Sequence, residues 1–461
     1  MSPIVNSAAA RDQACYLHPY TNLKTHQETG PLIIERGQGV RVFDDEGRAY
    51  IEGLGGLWCT SLGFSEPRLV EAATKAMQTL PFYHGFGHKS SPATIDLAEK
   101  LLSLAPVPLS KVLFANSGSE SNDTAIKLIW YFNNARGRPE KKKIIARHKG
   151  YHGVTVASGS LTGLPPVQMD FDLPIDRILH TDCPHHYRFA EDGESEEDFA
   201  SRLADNLETL ILDEGPDTVA AFFAEPVMGA GGVLTPPATY FEKIQAVLTK
   251  YDVLLVADEV ICGFGRTGNM FGCQTYDIKP DMITLAKGLS SGYLPISALM
   301  VSEEIYQAMV GESEKIGVFG HGYTYGGHPV PAAVALETLR IYEERDIVGQ
   351  VRRTGPHLHA RLEELADHPL VGQVRGVGLL GAVELMKDKA TRTGFEPSDG
   401  VGAFCANRSL AHGLIHRAMG DSLAFSPPLI ISEAEIDEMV GMFKIALDET
   451  HHWARAQGLV T

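Results

Sequence analysis

What the chain lacks narrows its chemistry first. There is no CxxC pair and no regular cysteine framework: Cys15, Cys59, Cys183, Cys262, Cys273 and Cys405 are scattered along the sequence. Disulfide staples and structural zinc are therefore not expected, and the thiols read as reduced, as in a cytosolic enzyme. Basic runs are as scarce. The formal net charge is -18, and the one cluster, Lys141-Lys142-Lys143, reads as a solvated loop, so neither nucleic acid nor an anionic membrane is expected as a partner. No window approaches 18 uninterrupted apolar residues, and the N-terminus lacks a basic segment followed by an apolar run; the expectation is a cytoplasmic protein. Internal repeats and low-complexity tracts are absent too. The most acidic stretch, Glu191 to Asp198, reads as a surface loop ahead of a helix.

What is there is enough for a large folded enzyme. At 461 residues, with 44% hydrophobic and 21% charged residues, the chain favours two or more domains and can fold without staples. Short apolar runs alternate with helical patterns through the middle, at Lys111 to Ala115, Lys143 to Ala146, Ala220 to Ala224, Val253 to Ala257 and Met282 to Ala286. Such runs, without polar alternation, predict parallel strands covered by helices on both faces, a doubly wound α/β core. After about residue 325 the texture turns to long amphipathic patterns, with a strand pair near Val371 to Met386 and a last helix opened by the capping-box spacing of Ser432 and Glu435. The expected layout is a large domain over 61–324 and a smaller α+β domain over 325–461. The first 60 residues, including the alternating segment Arg41 to Ile51, cannot form a core alone and are expected to pack with the small domain.

Three features of the α/β region suit one ligand. Asn116-Ser117-Gly118-Ser119-Glu120 follows a strand and opens a pattern that runs helically to Gly137. The unpaired amides and dipole of such a helix end attract phosphate, although an ordinary N-cap reads as well. The strand Val253 to Ala257 ends in Asp258-Glu259, and the next ends before Lys287, at the sheet edge where open α/β sheets bind ligands. An amine, a carboxylate and an amide-rich pocket are what pyridoxal 5′-phosphate needs: a group for the imine, a partner for the pyridine nitrogen, and a cradle for the phosphate.

The residues that carry this set resemble the class III aminotransferases of pyridoxal-phosphate fold type I. The resemblance runs through Leu17-His18-Pro19-Tyr20, Gly118-Ser119-Glu120, Tyr151-His152-Gly153, Ala224-Glu225-Pro226-Val227, Asp258-Glu259-Val260, the segment Gly263 to Gly268, Lys287-Gly288 and Tyr323-Thr324-Tyr325. It implies that Lys287 holds the cofactor as a Schiff base, Asp258 pairs with the pyridinium nitrogen, Tyr151 stacks on the ring and Val260 packs on its other face. Gly118 and Ser119 would hold the phosphate, with Thr324 reaching it from a neighbouring subunit, and Glu225 would sit near the cofactor. Within the family the chain is most similar to amine:pyruvate and ω-amino acid:pyruvate aminotransferases, through Trp58, Phe86-Gly87-His88 and the segment His416 to Asp421. That likeness implies substrate pockets lined by Tyr20, Trp58, Tyr151, Ala230 and Phe86 of the partner subunit, with Arg417 gripping a substrate carboxylate and swinging aside for an amine without one. The implied reaction moves an amino group from a small amine to a keto acid by a ping-pong mechanism. A homodimer with shared sites is implied; the pairing of dimers into tetramers, the donor and the stereopreference stay open.

Other motifs fail on context. Gly263-Phe264-Gly265-Arg266-Thr267-Gly268 fits the GxGxxG string of dinucleotide sites, yet no helical period follows it in Asn269 to Gln274. Gly288-Leu289-Ser290-Ser291-Gly292 fits a serine nucleophile elbow, but Pro295 argues against the helix that must follow. Val253 to Glu259 resembles a Walker B strand without any GxxxxGK[ST] loop to accompany it. His148 and His152 have helical spacing, but Gly150 and Gly153 disfavour the helix and no Glu stands between them in the zincin position, so no metal site is expected. The pairs His185-His186 and His451-His452 read as surface residues.

Overall fold

In the computed structural model, which describes residues 7–460, the centre is a seven-stranded sheet. From one edge to the other its strands are Lys111–Ala115, Ser297–Val301, Met282–Leu285, Leu254–Asp258, Val219–Ala224, Lys143–Arg147 and Ile178–Thr181. Ser297–Val301 is antiparallel to both neighbours and every other pairing is parallel. The expected doubly wound, mostly parallel sheet is the one observed.

Alternate residues of these strands feed two separate cores. Ile145, Phe222, Leu255, Ile283 and Met300 pack into one cluster, while Ile144, Phe223, Val256, Met282 and Leu299 pack into another on the opposite face. With both faces covered, a strand has no polar side to show, so its sequence cannot alternate.

A second, antiparallel sheet contains Val371–Val377, Leu380–Leu385, Ser422–Phe425 and Arg417–Met419 in that order. The helix Glu433–Ala456, with the full Ser432/Glu435 capping box, buries Ile436, Met439, Val440, Phe443 and Leu447 on one stripe. A third sheet joins chain ends. Ile34–Gln38, Arg41–Asp44 and Ala49–Glu52 form an antiparallel meander whose last strand pairs in parallel with Leu414–Ile415. The helix Pro329–Glu344 packs on the helices Pro67–Thr79 and Pro92–Leu104, and Tyr342 donates its hydroxyl to the Gly288 carbonyl at 2.6 Å.

Two expectations are overturned. Lys141 is not in a solvated loop: it is buried, and its ammonium donates to the carbonyls of Pro216 and Tyr251 at 3.2 Å each, while Lys143 begins a strand. Carbonyl oxygens at the strand and helix ends take up the charge, so a basic run can serve as internal pins. His185 is not a surface residue either; it is buried and bonds Gln373 Oε1 at 3.0 Å. All six cysteines are free thiols.

Candidate active site

The sheet brings the proposed amine and acid together by register. Leu254–Asp258 and Met282–Leu285 are neighbours, with Asp258 opposite Thr284, so the residues just beyond these two strands leave the sheet side by side. Asp258, Lys287, Gly118, Ser119, Tyr151, Glu225 and Val260 line one cavity of about 130 Å³. Lys287 turns into it from a left-handed backbone (φ 47°), a conformation that costs a non-glycine residue roughly 1 kcal/mol and persists because the packing around it dictates it.

The carboxylates of this cavity are buried and heavily bonded. Asp258 Oδ2 accepts from Asn122 Nδ2 and meets His152 Nδ1, both at 2.8 Å, and Oδ1 accepts from the Val260 amide at 3.1 Å. Burial pushes the Asp258 carboxyl up, but His152, through its hydrogen bond and its charge, with Asn122 and the amide, outweighs burial and holds it below the usual carboxylate range. Glu225 accepts from the amides of Tyr151 at 2.9 Å and Gly229 at 3.0 Å; there burial dominates and raises it. Asp258 is therefore the fixed negative charge of the pocket floor.

The helix Gly118–Ala135 starts at the cavity, capped by Ser117, whose hydroxyl accepts from the Glu120 amide at 3.2 Å. A Cβ on Gly118 would lie 3.1 Å from a Val260 methyl, and one on Gly153 (φ 132°) would collide with the Ser119 and Ser158 hydroxyls. Both glycines keep open the space beside the helix end.

The substrate-facing residues gather at one side. Trp58 is buried and arrives on a left-handed run from Gly55 (φ 57°) to Trp58 (φ 60°); its ring centre is 5.9 Å from Lys287 Nζ and 5.6 Å from the Arg417 guanidinium carbon. Arg417 also lies 5.1 Å from the Tyr20 ring. Ala230 belongs to the same apolar cluster as Trp58, against which Tyr151 packs. Phe86 and Thr324 do not join this group. Both are exposed, with the Phe86 ring resting against Gly322.

Three contributors escaped the sequence reading. Asn122 and His152 orient Asp258, and Glu52 accepts from the Leu54 amide at 3.1 Å, at the start of the turn that delivers Trp58. Asn122 was discoverable as a polar residue on the buried face of its helix. His152 lies in the Tyr151-His152-Gly153 segment of the resemblance, which gives it no role of its own. The motif alternatives lose their geometry as well: Ser290 is buried and donates to the Leu294 carbonyl at 2.6 Å, which leaves no exposed nucleophile.

Known proteins match this chain along nearly its whole length. The model of the family Aminotransferase class-III matches residues 23–447. Gamma aminobutyrate transaminase 3, chloroplastic, from Solanum lycopersicum is 53% identical over 95% of this chain and 84% of its own; gamma aminobutyrate transaminase 1, mitochondrial, from the same plant is 52% identical over 94% and 84%. The crystal structure of the omega transaminase from Pseudomonas jessenii in complex with PMP superposes with a TM-score of 0.96 at 55% identity, covering 97% of this chain and 99% of that one. This chain therefore belongs to the class-III aminotransferase family and is a transaminase that depends on pyridoxal phosphate.

Proposed function

We propose that the enzyme moves an amino group from an amine or ω-amino acid to pyruvate or a similar keto acid, in two half-reactions at one site. The observation that carries this reading is the shared cavity: a buried acid held ionised, Asp258, and an amine, Lys287, open on one space beside a helix N-terminus. The cofactor fits the residues present. Asn122 Oδ1 and His152 Nε2 are buried without a hydrogen-bond partner, and the two glycines keep a cradle free beside Ser119.

Pyridoxal phosphate, when bound, supplies an electron sink for the pair left by the donor's broken Cα–H bond. Asp258 keeps a proton on the ring nitrogen. Lys287 Nζ would be the amine that holds the cofactor, and as a free amine it would accept the proton from the donor's Cα. Gly118 and Ser119 would hold the phosphate, Glu225 fixes the Tyr151 backbone, and Tyr151 and Val260, which line the same cavity, would confine the ring. Tyr20, Trp58 and Ala230 form an apolar wall suited to amines, and Arg417 offers a fork for a carboxylate at its edge.

Phe86 and Thr324, exposed in the single chain, are assigned to the site of a partner subunit in a homodimer. Exposed apolar residues beside them, Phe82, Tyr83 and Tyr325, support that assignment. We place the enzyme in the cytoplasm on its reduced thiols; among the described residues no helix is long and apolar enough to cross a membrane.

The test is a donor panel with pyruvate, read as alanine formed, covering γ-aminobutyrate, β-alanine, putrescine, taurine and 1-phenylethylamine. Alanine from at least one amine, with borohydride fixing the cofactor mass on Lys287, is the expected outcome. Cofactor fixed on Lys287 but no alanine from any donor would reject the amine-to-pyruvate assignment.

A further inference from the structure

Outside the active site, three metal-capable side chains converge near the N-terminus. Asp12 comes from the helix Ala8–Cys15, His26 from the helix Leu23–Thr29, and His18 from the link between them. His18 Nε2 lies 2.8 Å from Asp12 Oδ2 and 3.0 Å from Oδ1, and His26 Nε2 lies 3.1 Å from the same Oδ2. The two imidazole centres are 4.0 Å apart. This is the single group of three or more such residues among the described ones whose ligand atoms all lie within 4.8 Å of one another.

We propose that Asp12, His18 and His26 bind one divalent transition-metal cation of the zinc type. Two imidazole nitrogens and a carboxylate suit zinc, cobalt or nickel better than calcium or magnesium, which prefer oxygen alone. Bonds of about 2.0–2.1 Å spread at a tetrahedral angle separate neighbouring ligand atoms by about 3.3 Å. The two Nε2–carboxylate spacings, 2.8 and 3.1 Å, are close to that, and all three ligand atoms lie within 4.8 Å of one another. Both rings present Nε2 to one carboxylate, so a cation placed between them meets all three groups where they already converge.

The setting supplies a reason for the clamp. Neither helix contributes a buried residue; Gln13 ties them further, its amide donating to the His26 and Gln27 carbonyls at 3.1 and 3.2 Å. A segment without a core gains order from a metal staple. The three side chains are only 10–22% exposed, which leaves an open position for water while keeping the ligands in place. The segment ends at the substrate mouth: Tyr20, two residues past His18, packs against Arg417. Metal occupancy therefore stiffens the part of the pocket wall that the protein core does not hold.

The test uses holoenzyme treated with a chelator and then titrated with cobalt(II) followed by visible absorption, and with zinc(II) followed by calorimetry. The expected result is one saturable site per chain, weakened by roughly 100-fold or more in His26→Gln and in Asp12→Asn. Metal should also slow proteolysis within residues 8–29 of the unsubstituted enzyme. Unchanged circular dichroism and cofactor absorbance in the variants show that they are folded. Absence of a stoichiometric site, or one that survives in both variants, overturns the proposal.

Discussion

The floor and the mouth of the active site are built by different means. On the floor, Asp258 and Glu225 are buried and each accepts from more than one donor. At the mouth, Tyr20 is 59% exposed, Arg417 touches its neighbours through ring faces, and the buried Trp58 indole nitrogen has no hydrogen-bond partner. Buried charges must be over-bonded to exist, so the floor resists change. Contacts to ring faces have little directional demand, and the mouth can adapt to different donors while the chemistry beneath stays the same.

This contrast can be broken or sharpened by substitution. The largest effect is expected for Lys287→Ala, a loss of at least roughly 10⁴-fold in kcat because no other amine lines the cavity to replace the nucleophile and base; retained turnover would remove Lys287 from the reaction. Asp258→Asn should lower kcat by ~10³-fold with a smaller change in KM, since it removes the charge that keeps the ring nitrogen protonated. Arg417→Ala should act differently. It should raise KM for pyruvate about 10- to 100-fold, the loss of one charge-assisted pair, and leave the half-reaction with 1-phenylethylamine nearly unchanged. A matching loss with both substrates would show that the mouth is as rigid as the floor.

Away from the site, pH tests whether buried histidines behave as the floor does. Burial and the charge of Arg375 depress His185 from 6.5 to about 4, against an opposing pull from Glu384. Between those values the unfolded chain takes up a proton that the folded chain refuses. Its contribution to stability is therefore full above pH 6.5, falls as pH drops at up to about 1.4 kcal/mol per pH unit, and levels off below about 4. Urea unfolding from pH 7.5 to 4.5 should show a shallower decline in His185→Gln. The smallest change belongs to Arg353→Ala, which removes a pair with Asp346 that is about two-thirds exposed on both sides; a shift within about 0.5 kcal/mol is expected in the same assay.

Much of the fold was legible because buried parallel strands leave continuous apolar runs. Five of the seven central strands were placed within about a residue of their observed ends. Ile178–Thr181 and Ser297–Val301 were not, the first for its polar His180 and Thr181 at the sheet edge, the second because nearby Pro295 reads as a breaker. The direction of Ser297–Val301 was beyond reach as well, since an antiparallel strand buried on both faces has the same composition as a parallel one. Lys141 and His185 went astray for a related reason: their partners are backbone oxygens and side chains distant in the chain, which no local pattern announces.

From the sequence alone came the alternation of elements, the order of the motifs, and the pairing of an acid with a lysine at successive strand ends, because these depend on residue type and spacing along the chain. Only the tertiary structure decided which polar groups hold Asp258 ionised, how closely Tyr20, Trp58 and Arg417 approach one another, and that Asp12, His18 and His26 converge. Those depend on separations of a few ångströms between side chains whose packing, not their spacing in the chain, sets where they point.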